Sequence, residues 1–595
     1  MLQTKKLTCD LCVVGGGLSG MVAAISAARE GLRVVLMHER PVLGGNASSE
    51  IRMWICGARG RDNRETGIIE EIMLESLYRN PTKSFAIWDT VLYDFVRREK
   101  NITLLLNCTC MDAETVEGVF PYGRDRQIQS VTGYQMTTQQ FWNVSAKLFC
   151  DSSGDSILAP LTGAAFRMGR ESKYEFGEDT ALTESDGMTM GMSCLIQGRE
   201  HINPVKFTPP SWKTPLSAEN FEKRNIGFNS DYTNYWWLEL GGNRTPIEDT
   251  EINRDELIPL ALGTWDYIKN SGNVPNSENW DLDFVGFLPG KRESRRMCGE
   301  YIITQQDICS GHVFEDEIAF GGWPLDDHYP GGFFLRGKFN TNIETPAPYS
   351  IPYRCLYSSN VDNLFFAGRN ISMTHMAMSS MRVMATCALL GEAVGKAAAL
   401  AIEGEMTPHD VYLFKRKELQ ALLMDEDCFL PNNTRVISEL CKAAVLNVDG
   451  DILRNGQDRA HQIYGTDETN GAYFASPEQE IIYTFPPQVI NAVHLVFCSD
   501  LNRDTLPGGL AERSYVTRAN QKLTSPQTIM PKTLCKDFKL YGERNGVRTE
   551  LLSVINNRKR SYHIKPGQLY DQLILVPMNT WGEQDSIPII SFDFR

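Results

Sequence analysis

The sequence predicts an α/β protein: a Rossmann-type nucleotide-binding domain, an α+β domain inserted into it, and a β-sandwich at the carboxy terminus. Three observations predict this. A strand–glycine turn–helix unit opens the chain near Cys9. A second apolar strand meets glycine and then a small-residue helix near Asn363. After Pro431, helical Ala-rich sequence gives way to short β-patterned runs. Two distant strand–helix units can serve one ligand only if they meet in one domain, which makes the residues between them an insertion. The expected domains are therefore 1–155 together with 351–430, then 156–350, and then 431–595.

The amino-terminal unit reads Cys9-Asp-Leu-Cys-Val-Val-Gly-Gly-Gly-Leu-Ser-Gly-Met-Val-Ala-Ala. An apolar strand ends at Val14, and Gly15, Gly17 and Gly20 follow at G-x-G-x-x-G spacing. Gly15 permits a tight turn, Gly17 lets the backbone approach a pyrophosphate, and Gly20 lets the helix pack closely on the strand. The helix start at Leu18 and Ser19 offers free N–H groups and a partial positive charge to phosphate. The helix is predicted to run to about Glu30, with a strand over Leu32–Met37 behind it. Glu39 is then placed to accept hydrogen bonds from a ribose diol. An ordinary glycine turn explains the glycines but not Glu39, so a dinucleotide is the expected ligand. The spacing alone leaves NAD and FAD both open.

The 595 residues carry a formal net charge of −15, with 42% hydrophobic and 22% charged residues. This is the profile of a folded globular chain of two or three domains. The acidic balance argues against general nucleic-acid binding, which needs Lys and Arg to neutralise phosphates. No uninterrupted apolar run reaches the roughly 18 residues of a membrane helix. Val383–Ile402 comes nearest and is broken by Glu392 and Lys396. Met1–Thr8 is too short and polar for a secretory signal. Fifteen cysteines are scattered along the chain. Cys9 and Cys12 point to opposite faces of one strand and have no second pair at ligand spacing, so no metal is expected. Asn46-Ala-Ser and Asn370-Ile-Ser match the glycosylation triplet but lie inside glycine-rich ligand segments, where a glycan would obstruct binding. The expectation is a cytoplasmic protein with reduced thiols and no nucleic-acid or membrane partner, with a homo-oligomer left open.

Later segments narrow the cofactor. Glu39-Arg40 is followed by Pro-Val-Leu-Gly44-Gly45-Asn46-Ala-Ser48-Ser. This resembles the second glycine loop of two-dinucleotide-binding-domain flavoproteins, whose backbone passes close to the ribityl and flavin portion. Ile102–Leu106 reads as a strand, and Gln129–Met136 with Trp142–Phe149 as a hairpin. The hairpin ends in Asp151-Ser-Ser-Gly154-Asp155, like the segment that closes the nucleotide half in this class. The distal unit reads Asn363-Leu-Phe-Phe-Ala-Gly368-Arg369-Asn370, continues through His375 to Arg382, and leads into the Ala- and Gly-rich run Val383–Ala401. Ala385, Ala388, Gly391 and Gly395 would let that helix lie close to sheet or cofactor.

On these segments, with Trp265–Asn270, Pro289–Arg296 and Gly321–His328, the chain resembles the FAD-dependent oxidoreductases related to fumarate reductase-type and glutathione reductase-type flavoproteins. The nearest likeness is the bacterial group found beside carbohydrate-degrading genes. The resemblance spans about residues 9–430 and implies non-covalent FAD. It implies cofactor contacts from Gly15, Gly17, Leu18, Ser19, Gly20, Glu39, Arg40, Gly44, Gly45, Asn46, Ser48, Asp155, Gly368, Arg369 and Arg382. An NAD site needs neither Gly44-Gly45 nor Gly368-Arg369.

Hydride chemistry at a carbinol or carbonyl carbon needs an acid/base for the oxygen and cations where negative charge develops. His375 is the first candidate for acid/base, because it precedes the helix expected at the flavin. His328 is the second, in a loop bounded by Gly and Pro, with Asp326 or Asp327 to orient its ring. Arg52, Arg292, Arg295 and Arg296 are the candidate cations. Arg292 and Arg296 are placed on one helical face at i and i+4. Cys56 and Cys298 lie near these segments but read as small buried hydrophobes.

The insertion is rich in aromatics: Tyr232, Tyr235, Trp236, Trp237 and Trp265. Such rings stack on sugars but more often fill a core. The tail reads as strands over Glu480–Phe485, Val489–Phe497, Phe538–Gly542, Glu550–Asn556, Ser561–Ile564, Gln572–Val576 and Ile587–Phe594. Their pattern resembles a galactose-binding-like sandwich, whose bland alternative is a packing module. The leading expectation is an enzyme passing hydride between FAD and a small organic substrate such as a sugar-derived hydroxy or keto compound. The alternative is a carbohydrate-binding protein with a structural flavin domain.

Overall fold

The computed structural model describes residues 2–228, 234–459, 471–503 and 516–595. Four parallel strands make the centre of the main sheet. Thr4–Val14 lies between Val34–Met37 and Gln140–Asp151, with Ile102–Leu105 beyond Val34–Met37. Leu364–Phe366 adds in parallel to the end of Gln140–Asp151. The start of Gln140–Asp151 instead pairs antiparallel with Arg126–Gln135, the hairpin expected from sequence. Cys108–Glu117 pairs with Arg126–Gln135 as a further strand that the sequence reading did not include. Its exposed Asp112, Glu114 and Glu117 hide the apolar alternation that marks a half-buried strand.

The strands of the parallel part are buried on both faces, which accounts for runs such as Leu11–Val14 and Val34–Met37. The helix Leu18–Arg29 covers the sheet and is itself covered by Met384–Glu403. Met384–Glu403 is apolar and long enough to cross a bilayer, yet nearly all of it is buried inside the protein. Its small residues explain the fit. A Cβ on Gly391 would come within 2.1 Å of the Ser19 carbonyl oxygen, so only glycine lets the two helices approach this closely.

Residues 192–285 build a separate apolar cluster, in which Tyr235, Trp237 and Trp265 are buried together with Phe333. The long helix of this region, Thr250–Asn270, contributes Leu257, Leu260 and Trp265 to that cluster. Tyr232 lies outside the described residues. Leu325–His328 and Asn340–Ile343 form a two-stranded antiparallel ribbon.

The segment Lys291–Arg296 departs from the expected helix. Gly290–Lys291 and Arg296–Met297 are short strands paired to Met192–Ser193 and Phe166–Arg167. The stretch between these strands is irregular, so Arg292 and Arg296 share no helical face.

At the carboxy terminus, two antiparallel sheets of five and four strands share one buried cluster that includes Tyr483, Phe497, Phe538, Leu575 and Phe592. The strand expected to stop at Phe485 continues to Ile490, carried past Pro486-Pro487 by a register shift. Leu74 and Leu77 of helix Ile68–Arg79 enter the same cluster, so the two sheets dock on the nucleotide-binding part through a shared core.

Candidate active site

The parallel strands end at one level. Met37, Val14, Asp151 and Phe366 are neighbours in register. The residues that follow each strand therefore converge on one rim, where ligands bind in open α/β sheets. A cavity of about 110 Å³ lies there, with Gly15, Leu18, Glu39, Ser153, Gly368 and Arg369 among its walls. Gly15 adopts φ +105°, and a Cβ there would sit 2.3 Å from the Ser152 carbonyl oxygen. Gly17 caps the helix and faces Gly45, with the Gly44 N–H donating to the Gly16 carbonyl at 2.9 Å.

Of the expected cofactor residues, Gly17, Ser19, Arg40, Gly44, Asn46 and Arg382 also line this cavity, as does Gly45. Gly20 does not line it; a Cβ there would meet the Gly15 carbonyl at 1.9 Å, so this glycine shapes the turn from behind. Ser48 is buried, with its hydroxyl donating to the Gly45 carbonyl. The sequence reading missed His38. Its Nδ1 accepts from the Gly16 N–H at 3.0 Å and its Nε2 lies 3.0 Å from the Val42 carbonyl, which selects the Nε2–H tautomer.

This chemistry fits FAD. Free N–H groups at the start of Leu18–Arg29, together with Arg40 and Arg369, would hold a pyrophosphate. Glu39 lines the rim, where it would accept from a ribose diol, and Gly44-Gly45 leaves the cradle open. Gly15→Val is expected to yield protein with less than about a tenth of the wild-type flavin content, because strained φ and backbone overlap act together. Full flavin content in that variant, measured after denaturation, would remove Gly15 from the cradle.

Asp155 stands one step back from this cavity. Its carboxylate accepts from Lys291 Nζ at 2.6 Å, Arg369 Nη2 at 2.7 Å and the Ser294 hydroxyl at 2.7 Å. Burial works to raise it, but Arg369 and Lys291 outweigh burial and hold it well below the usual carboxylate range. Asp155 thus fixes two cations whose side chains face the ligand space.

A larger cavity of about 310 Å³ adjoins the first and shares Asn46, Arg369, Arg382 and Met384 with it. Trp54, Trp236 and Trp323 supply aromatic walls. The ribbon supplies polar ones. Asp326 pairs with Asn342 and His328 with Asn340, and all four line this chamber from one face. Asp327, between them in sequence, faces the other side.

His328 is buried, with Nδ1 2.7 Å from Glu239 Oε2 and Nε2 3.2 Å from Asp326 Oδ2. Burial lowers its affinity for a proton, but Glu239 and Asp326 outweigh burial and hold the imidazole above the ordinary histidine value. Asp326 is held low against burial by His328 and Arg382. Arg292 also lines the chamber, donating to Ser193 Oγ at 2.8 Å and the Trp236 carbonyl at 3.1 Å.

The remaining candidates are placed elsewhere. His375 lines neither cavity. Its Nδ1 lies 2.9 Å from Glu293 and its Nε2 3.0 Å from Asp327. Burial pushes it down, yet the two carboxylates carry it up to about 10. Arg52 lies between Phe284 and Phe85, bonded to Gln197 at 2.9 Å. Arg295 lies over Phe166 and donates to the Asp155 carbonyl. Arg296 is buried against Glu171.

A family model described as FAD dependent oxidoreductase matches residues 10–423. Among curated proteins, 58 residues are 41% identical to the 4-oxocyclohex-2-ene-1-carboxylate 5-dehydrogenase of Sinomonas cyclohexanicum, which covers 10% of each chain. A stretch of 66 residues is 35% identical to the glycerol-3-phosphate dehydrogenase of Mycobacterium leprae, 11% of each. The chain spans about a tenth of the length of the curated relatives it matches. Among solved structures, a geranylgeranyl bacteriochlorophyll reductase-like protein of Thermoplasma acidophilum aligns over 71% of this chain and 89% of its own, at 11% identity and a TM-score of 0.29.

Proposed function

Because the chain belongs to the FAD-dependent oxidoreductase family and takes FAD as its cofactor, we propose that it moves hydride between that flavin and a small sugar-like molecule. The reacting carbon bears a hydroxyl or a carbonyl and lies in the indole-walled chamber. The observation that carries this reading is the ribbon face with Asp326, His328, Asn340 and Asn342, set beside the cofactor cavity. Bound FAD would supply a two-electron hydride acceptor or donor.

The chain's own groups do the rest. A substrate hydroxyl on Asp326 gives its proton to the carboxylate–imidazole pair as its carbon gives up hydride. A carbonyl receives the proton back in the reverse direction. Indole faces suit the C–H surface of a ring or polyol and keep water from the reacting carbon. Among the described residues the Asn342 side chain has no hydrogen-bond partner and Asn340 spends only its Nδ2, on Asp326, so amide groups remain for substrate hydroxyls.

The two carboxy-terminal sheets, read as a galactose-binding-like sandwich, act in this reading as a brace. Arg459 donates to the backbone carbonyls of Asp62 and Arg64, on the segment that carries Arg59 into the chamber. The fifteen cysteines are read as reduced thiols of a cytoplasmic protein.

The test is anaerobic. FAD-loaded protein is mixed with alditols, aldoses and their acids, and the reduced protein with keto sugars, while flavin absorbance is followed. Bleaching by one alcohol class, or reoxidation by one carbonyl class, is expected. A flavin untouched in both redox states by the whole panel would sink the reading.

A further inference from the structure

Five cations line the chamber: Arg59, Lys291, Arg292, Arg369 and Arg382. Among the described residues, Asp326 is the one carboxylate in its lining. This is a pronounced local excess in a chain of net charge −15. Three of the five are tied to buried or half-buried carboxylates behind the chamber wall. Lys291 and Arg369 share Asp155. Arg292 spends both terminal nitrogens on Gly191, Ser193 and Trp236, with Glu239 3.3 Å away.

The other two are not. Arg382 reaches Asp326 through Nη2 alone, and its Nη1 has no acceptor among the described residues. Arg59 uses Nη1 for Glu344, a side chain that is 73% exposed, and its Nη2 is likewise without an acceptor among the described residues. Trp323 touches both the Arg59 guanidinium and the helix end that leads into Arg382. Arg59 stacks over the Trp323 ring at 4.8 Å, and its N–H donates to the Gly322 carbonyl at 2.9 Å. The Trp323 carbonyl accepts from Ser380, two residues before Arg382. Two oriented guanidiniums with spare donors favour a planar anion over a neutral group.

We infer that the substrate is a polyhydroxylated carboxylate, of the aldonic or uronic acid class, with its carboxylate held by Arg59 and Arg382. Its hydroxylated carbons then run along the indoles toward Asn340, Asn342 and Asp326. The carboxylate takes no part in the redox step; it fixes which hydroxyl or carbonyl meets Asp326. This inference rests on the hydride-transfer reading and adds the charge of the substrate to it.

The test uses FAD-loaded protein without oxygen and matched ligand pairs: gluconate against glucitol, glucuronate against glucose, galacturonate against galactose. Dissociation constants are read from perturbation of the flavin spectrum, and bleaching is followed in parallel. For at least one pair the acid should bind about tenfold or more tighter than its neutral partner. That ratio should shrink as salt rises from about 50 mM to about 500 mM. Arg59→Gln should reduce the acid-to-neutral ratio to about threefold or less, and Arg59→Lys should keep an intermediate ratio because point charge survives without the fork.

Neutral polyols that bleach the flavin as well as their acids would overturn the carboxylate and leave hydride transfer standing. Sugar phosphates that bind tighter than every acid would overturn it in favour of a phosphate ester. Failure of all ligands to bind or bleach would overturn both readings together.

Discussion

Asp326→Asn slows anaerobic flavin reduction by an alcohol substrate about 10²–10⁴-fold, the range expected when a positioned acid/base is lost. Both members of the Asp326–His328 pair line the chamber, and the carboxylate is the more exposed of the two, so His328 acts through it. The pH dependence follows from the charges around the pair. Glu239 and Asp326 press on the two imidazole nitrogens, while Arg292 and Arg382 stand behind those carboxylates. The imidazole is held above the ordinary histidine value despite burial. The imidazole must lose its own proton before the pair can take another. Alcohol oxidation should rise with pH to a plateau above the pH where an ordinary histidine titrates, and carbonyl reduction should fall over the same interval. In Asp326→Asn one of the two carboxylates is gone, so the remaining limb shifts to lower pH. Stopped-flow reduction of the wild type and the variant across pH checks both statements. Equal rates in the two proteins, with flat profiles, would take the proton chemistry away from this pair.

The cofactor cavity was legible because its parts sit next to their strands in sequence. Gly15–Ser19 follows Val14, Glu39 follows Met37, and Gly368-Arg369 follows Phe366. Parallel pairing alone brings these strand ends together. His38 escaped notice because its work is a hydrogen bond to the Gly16 N–H across the turn, which no spacing announces. The chamber was much less legible. Leu325-Asp326-Asp327-His328 is polar on both faces, so alternation does not tell which residues face a ligand and which face His375. That choice is made by Asn340–Ile343 on the next strand and by Glu239, about ninety residues away in sequence.

Lys291–Arg296 shows the converse error. Arginines at i and i+4 suggest a helix, but each side chain has a different fixed partner: Asp155 for Lys291, Ser193 for Arg292, Phe166 for Arg295 and Glu171 for Arg296. Two short strands with an irregular stretch between them stand where the helix was expected. Trp236 was one aromatic among several; its neighbours Tyr235 and Trp237 went to the core, and only the fold separates it from them.

His375→Ala costs folding stability rather than chemistry, by about 3–5 kcal/mol, the usual cost of removing one partner from a buried ion pair. The histidine was the first candidate for proton transfer on sequence grounds. In the structure it joins the start of helix His375–Met381 to Glu293 of the Lys291–Arg296 segment and to Asp327 of the ribbon. With both ring nitrogens on carboxylates and its proton held up to about 10, it does not exchange charge near neutral pH. The sign of the linkage is definite. Its folded value lies above the unfolded value of about 6.5, so its stabilising contribution is complete below that pH and is lost as pH rises through about 10. The melting temperature of the wild type, followed by flavin release, should therefore fall more steeply between pH 7 and pH 10 than that of His375→Gln, which lacks the titrating group. Across the ribbon, loosening of Asp327 also frees Asp326, so a modest loss of rate accompanies the instability. A variant with an unchanged melting temperature and a flavin reduction rate lowered by about 10² or more would reverse the assignment and return His375 to the reaction.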